Sequence, residues 1–227
     1  MIKKGINYAI FVQNGYVIQS TNNENKLLAA YKKAEFILSY SKDITQCINL
    51  KFPNLKTKII KISYALNLNN KIKFKKKNLI TFMSRKLPQH SKLVTNYLKN
   101  HLPRSWKLKN IHQLSEKETY SILKKSKIFL AFSSFEGLAL PPIEAALAGN
   151  YVIGYTGEGG KEYWKRPIFT EVNSGNINHF VKSINKKIIF LKKNKKFPKK
   201  NLINLENKFS SETETKNIIK YLKFIPK

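Results

Sequence analysis

Short apolar runs alternate with amphipathic stretches along most of the chain, and that alternation leaves few folds open. Asn7–Val12, Phe36–Tyr40 and Lys58–Tyr64 read as strands in the first part. Asn78–Met83, Trp106–Ile111, Lys127–Phe132 and Tyr151–Tyr155 read as strands in the second. Helix signals fall between them. Thr21-x-x-Glu24 and Ser115-x-x-Glu118 have the capping-box pattern, and Ser41 opens a helix through about Leu50. A helix is expected over 90–101, and one over Pro141–Ala148 that ends at Gly149. Another is expected over about 177–194, then a Lys/Pro loop and a helix capped by Ser211-x-x-Glu214. Strand and helix in strict alternation predict an α/β fold: a Rossmann-like parallel sheet with helices on both faces.

The stretch 67–77 interrupts the alternation. It is polar and lysine-dense and lacks helical period, so it reads as a linker. The organisation expected is a partial αβ unit over 1–66, a linker over 67–78, a Rossmann-like unit over 79–194, and a basic loop with a C-terminal helix over 195–227.

Composition narrows the chemistry. Lys+Arg is 43 against 13 for Asp+Glu, a formal charge of +30. Such a charge suits polyanions, namely nucleic acid, acidic lipid or phosphate. Yet the arginines are only Arg85, Arg104 and Arg166, and abundant Lys, Asn and Ile are what an A/T-rich genome encodes by default. Nucleic-acid readers favour arginine, so nucleic acid is disfavoured as a partner. Lys192–Lys200 reads as a solvated face, with acidic-lipid contact as the sharper alternative. Asp43 is the sole aspartate, which excludes a Mg²⁺ or Ca²⁺ site built on aspartates. The four histidines and Cys47 show no zinc spacing, so no metal is expected. Cys47 reads as a small core residue. The apolar run Tyr8–Val12 is too short for a signal peptide, and no run reaches the length of a membrane span. The expected location is cytoplasmic, with peripheral attachment at the inner membrane face as its refinement.

The chemistry concentrates in Phe132-Ser-Ser-Phe-Glu136-Gly-Leu-Ala-Leu-Pro-Pro-Ile-Glu144-Ala-Ala-Leu-Ala-Gly149. A buried strand ends, a glycine turn follows and a helix begins. Ligands of open α/β sheets bind at the carboxyl ends of strands, and backbone N–H groups at a helix start attract anions. Gly137 lets the backbone approach a ligand closely. Glu144 could instead complement the helix dipole, but residue 141 is proline, so no capping box accounts for it.

The pattern Glu136-Gly-x-x-Leu-Pro-x-x-Glu144-Ala-x-x-x-Gly149 resembles the E-x7-E signature of the group 1 family of retaining, nucleotide-sugar-dependent glycosyltransferases. Met83-Ser-Arg85-Lys86 resembles the family's basic donor-phosphate motif. His112-Gln-Leu-Ser115 resembles the segment bordering its base pocket, and Gly154-Tyr-Thr-Gly157-Glu-Gly159-Gly160-Lys-Glu162 its Gly-rich turn. The likeness covers roughly residues 79–165 and is fainter over 7–66.

The resemblance implies the GT-B architecture of two Rossmann-like domains facing across a cleft, with 79–194 as the donor-binding domain. It implies that Glu144 binds the donor ribose, and that Glu136 faces the transferred sugar. Arg85 and Lys86 then neutralise the departing diphosphate, assisted by the amides of Gly137, Leu138 and Ala139. His112, Gly157 and Gly159 border the donor. Gln13 and Asn14, read from their place at a strand end and not from the resemblance, either face the acceptor side of the cleft or simply form a turn. No cofactor is implied beyond the nucleotide-diphosphate sugar itself, and the acceptor is a glycan or lipid-linked molecule.

The chain departs from the family before residue 67. The expected counterpart there is only the last part of an acceptor domain, without the first strands or the catalytic histidine that many relatives carry. The expectation is therefore an N-terminally truncated or short form: a fragment, a natural short form with a partner chain, or a donor-binding relic.

Overall fold

A computed structural model describes residues 7–20, 22–66, 75–193 and 196–222. Most of the stretch read as a linker lies outside these residues. The first part folds as β1 (Ala9–Val12), α1 (Glu24–Lys33), β2 (Phe36–Ser39), α2 (Lys42–Lys51) and β3 (Lys58–Lys61). Its sheet has the order β1-β2-β3, all parallel. Ile37, Ile44, Ile48 and Phe52 pack with Val12 and Tyr31 to form its core. Ser41 caps α2 as expected, its side chain accepting from the Ile44 N–H at 3.1 Å. The cap of α1 differs: it is Asn23, which accepts from Lys26, while Thr21 lies outside the described residues. Asn23 stands next to the first helical residue, where its short side chain reaches a free N–H.

The second part comprises β4 (Leu79–Phe82), α3 (Pro88–His101), β5 (Lys107–Asn110), α4 (Glu116–Lys125), β6 (Ile128–Phe132), α5 (Leu140–Leu147), β7 (Tyr151–Tyr155), β8 (Phe169–Glu171) and α6 (Ile177–Lys192). Its sheet is wholly parallel, in the order β5-β4-β6-β7-β8. β6 and β7 are buried throughout, as expected of strands covered on both faces. On one face Val94 and Leu98 of α3 meet Phe180, Ile184 and Ile188 of α6. On the other, Leu123 of α4, Ile143 and Ala146 of α5, and Leu205 pack together. The capping box at Ser115 and Glu118 is complete.

Two further helices follow, α7 (Lys199–Lys208) and α8 (Ser211–Leu222). α7 stands where the Lys/Pro pattern predicts a loop, and β8 has no counterpart among the strands predicted above. The cap of α8 is Ser210 rather than Ser211: its hydroxyl accepts from Thr213 N–H at 3.1 Å. Glu214 turns instead to the other part of the chain, accepting from Ala65 N–H at 2.9 Å. Beside it, Leu66 N–H donates to Phe209 carbonyl at 2.9 Å. These bonds set the carboxyl ends of the two sheets opposite each other. No helix among the described residues is long and apolar enough to cross a membrane.

Candidate active site

The strand order decides where a ligand fits. In the five-stranded sheet α3 leaves β4 over one face and α4 returns from β5 over the other. The chain therefore reverses its winding between β4 and β6, and the crevice of such a sheet opens at that reversal. Arg85 and Lys86 follow β4, and Glu136 follows β6. One small cavity holds all three, lined also by Met83, Ser133 and Pro141. Lys86 Nζ lies 3.4 Å from Glu136 Oε1, with the carboxylate side chain only 17% exposed. Sequence spacing placed these residues on separate motifs and did not foresee the ion pair.

The turn between β6 and α5 is tightly held. Phe135 adopts φ +50 and is 72% exposed. Positive φ is uncommon for an aromatic residue and marks a constrained turn. Asn14 donates from Nδ2 to the Phe135 carbonyl at 3.1 Å, while its Oδ1 accepts from Tyr16 N–H at 3.0 Å. It therefore joins the two sheets and also shapes its own turn. A Cβ on Gly137 would stand 2.6 Å from the Gln13 carbonyl oxygen and 2.6 Å from Ile44 Cδ1. This glycine is required by the close approach of the first sheet. A Cβ on Gly159 would stand 2.0 Å from the Gly137 carbonyl, and one on Gly157 3.3 Å from Ser133 Cβ. The Gly-rich turn is thus packed on the Glu136 turn. Ala139 is buried, its carbonyl accepting from Tyr163 Oη at 2.6 Å. Leu138 faces a cavity of about 260 Å³ between the two parts, shared with Tyr40, Tyr64 and Glu162.

Glu144 lies in α5 beyond Pro141 and Pro142, which occupy the first turn without a side-chain cap. Burial pushes its carboxyl above the usual carboxylate range, and Glu116 at the start of α4 adds to the shift. The Tyr64 hydroxyl is pushed up by its own burial and then by the charge of Glu144. Tyr120 is raised to about 12 by burial, Glu206 and Glu144. The charge of Glu144 thus acts on both Tyr64 and Tyr120, which long-range packing brings within its electrostatic reach. His112 is exposed just past β5, and its neighbour Gln113 has φ +51. Among the described residues no three His, Cys, Asp or Glu side chains converge in a metal-ligating group.

Comparison with known proteins bears on the fold. No family model matches the sequence. TarM of S. aureus, solved in a complex containing UDP, superposes with a TM-score of 0.66 at 15% identity, over 96% of this chain and 51% of that one. HepE of Anabaena, solved with UDP and glucose, gives 0.69 at 13% identity, over 96% and 72%. The architecture is the GT-B fold. A protein named as a glycosyltransferase from Sulfolobus islandicus filamentous virus is 48% identical over 50 residues, which is 22% of this chain and 15% of that protein. The chain thus spans about half of TarM (51%) and a smaller share (15%) of the viral protein.

Proposed function

We propose that the chain binds a nucleotide-diphosphate sugar at the β4/β6 crevice and transfers its sugar, with retention, to a hydroxyl of a glycan or lipid-linked acceptor. The carrying observation is the cavity that unites Arg85, Lys86 and Glu136 where the sheet reverses its winding. The solved GT-B structures that contain UDP support the reading.

In this reading the bond from the anomeric carbon to the diphosphate oxygen breaks, negative charge grows on the leaving group, and the acceptor hydroxyl oxygen bonds to that carbon on the same face while its proton passes to the departing diphosphate. Lys86 and Arg85 meet that charge, an arrangement that typically supplies a few kcal/mol. The Lys86 ammonium, held by Glu136 at 3.4 Å, exchanges this partner for the more highly charged diphosphate. Glu136 is then free to accept hydrogen bonds from sugar hydroxyls. Glu144, an acceptor with two oxygens, suits the paired hydroxyls of a ribose. With Asp43 as its sole aspartate, the chain neutralises the diphosphate through these basic groups, without a metal.

Calorimetry with UDP- and GDP-sugars tests the reading. Wild type is expected to bind one of them, and Glu144→Ala to weaken it about tenfold or more, the cost of hydrogen bonds to a charged group. Absence of binding by wild type sinks the proposal.

A second reading, a donor-binding subunit that needs a partner chain for transfer, is favoured by β1. This strand pairs only with β2 among the described residues, and Phe11 on it is 41% exposed. An uncovered edge invites pairing. Sugar transfer by the isolated chain decides against that reading.

A further inference from the structure

Between residues 75 and 209 there are eight glutamates, and the fold gathers them at one end. Glu116 and Glu118 open α4, Glu136 lies in the β6–α5 turn, and Glu144 stands one turn into α5. Glu158 and Glu162 follow β7, and Glu171 closes β8. Glu206 lies near the end of α7, which runs back to the cleft, where Lys208 Nζ donates to the Glu162 carbonyl. All strands of this sheet are parallel, so these positions share the cleft end. Among the described residues of this part, the opposite end, where strands begin and α3, α4 and α6 finish, has no carboxylate side chain. It holds exposed lysines instead: Lys77 and Lys107 at strand starts, Lys192 and Lys193 at the end of α6, and Lys199 and Lys200 at the start of α7.

The helix dipole explains only some of this. Cations are favourable at helix C-termini, which covers Lys192 and Lys193. Lys199 and Lys200 sit at the positive N-terminus of α7, which has no side-chain cap, so the dipole opposes them. Lysine at those positions does not stabilise its own helix. At the same end the Lys187 ammonium lies 4.0 Å from the centroid of the Tyr151 ring. Ile189, 56% exposed, projects from the last turn of α6.

We propose that this end is a docking face for a bilayer containing anionic phospholipid. Dispersed lysine charges suit mobile headgroup phosphates, each adding attraction near the surface. Nucleic-acid contact would favour arginine forks, and an exposed isoleucine fits the headgroup boundary better than a duplex. Docked in this way, the cleft faces the aqueous phase.

Flotation with phosphatidylcholine vesicles, with and without phosphatidylglycerol, tests the proposal at low and physiological salt. One variant carries Lys193→Gln, Lys196→Gln, Lys199→Gln and Lys200→Gln. A control of equal net charge carries Lys26→Gln, Lys32→Gln, Lys33→Gln and Lys56→Gln in the first part, and thermal melts confirm that both fold. Wild type and control are expected to float with anionic vesicles, and the face variant to bind at least about tenfold more weakly. Equal binding by the two variants overturns the proposal, as does no binding of wild type to anionic vesicles. Tighter binding of wild type to duplex DNA than to vesicles at the same salt also overturns it.

Discussion

Glu144 carries a conflict that a single substitution resolves. Its folded pKa lies above the ordinary value of 4.5, chiefly through burial. Between those two values the folded chain holds more protons than the unfolded one. The group's favourable contribution to stability is therefore complete below about 4.5 and is lost as pH rises through the folded value. Glu144→Gln removes the buried charge while keeping the shape. It is expected to melt higher than wild type at pH 8, with the difference shrinking toward pH 5, while donor binding weakens. A variant that melts lower at pH 8 would show that the charge is compensated within the fold. Asn150 illustrates the opposite case. Fully buried, it donates to the Leu123 and Ala145 carbonyls at 2.9 and 2.8 Å and accepts from Ser126 Oγ. Asn150→Ala removes these three buried hydrogen bonds, at about 1 kcal/mol each, and is expected to cost about 3 kcal/mol in denaturant unfolding.

At the scale of elements, the turns after β6 and β7 behave as one packed unit. Gly137→Ala drives a methyl into Gln13 and Ile44, and Gly159→Ala drives one into the Gly137 backbone. Gly175, with φ +84, has nothing within 4 Å of its would-be Cβ. Thermal melts are expected to rank Gly175→Ala mildest, at about 1 kcal/mol for the left-handed backbone alone. Gly159→Ala is expected to be worst, because backbone cannot step aside. The sequence made this turn visible as a glycine pattern, but not why the glycines stand there. Their neighbours are far away in the chain, as Gln13 is from Gly137. Elements with an unbroken apolar run or a complete cap, such as β6, β7 and α4, were legible for the same local reasons that form them. β8 has three residues beyond Arg166-Pro167 and shows no alternation. α7 has a Lys/Asn-rich surface with only Leu205 buried. Both are held by tertiary contact, and neither has a periodic signal. Arg85, Lys86 and Glu136 were legible as motifs, whereas their shared cavity follows from strand order. The electrostatic coupling of Glu144 to Tyr64 and Tyr120 carried no signal at all.

Across the whole molecule, the two sheets are joined at few points, and Glu162 sits at the centre of one of them. Its carboxylate takes the Lys42 N–H at the start of α2 and the Lys61 ammonium, and its carbonyl accepts from Lys208 at 2.8 Å. One residue thereby links the first sheet, the turn after β7 and the end of α7. The Lys61 side chain is 40% exposed and the Glu162 side chain 19%, so solvent screens the ion pair and it contributes at most about 1 kcal/mol. Glu162→Ala is accordingly expected to lower the melting temperature by only about 2–4 °C. The larger effect should be on how the two parts sit together. Small-angle scattering should show a larger radius of gyration for the variant. The proposed donor residues from Arg85 to Glu144 all lie on the second sheet and its helices, so nucleotide affinity should remain within about twofold. Sugar transfer needs both faces of the cleft and should fall much further than affinity. Equal losses of affinity and transfer would instead show that Glu162 shapes the donor pocket itself.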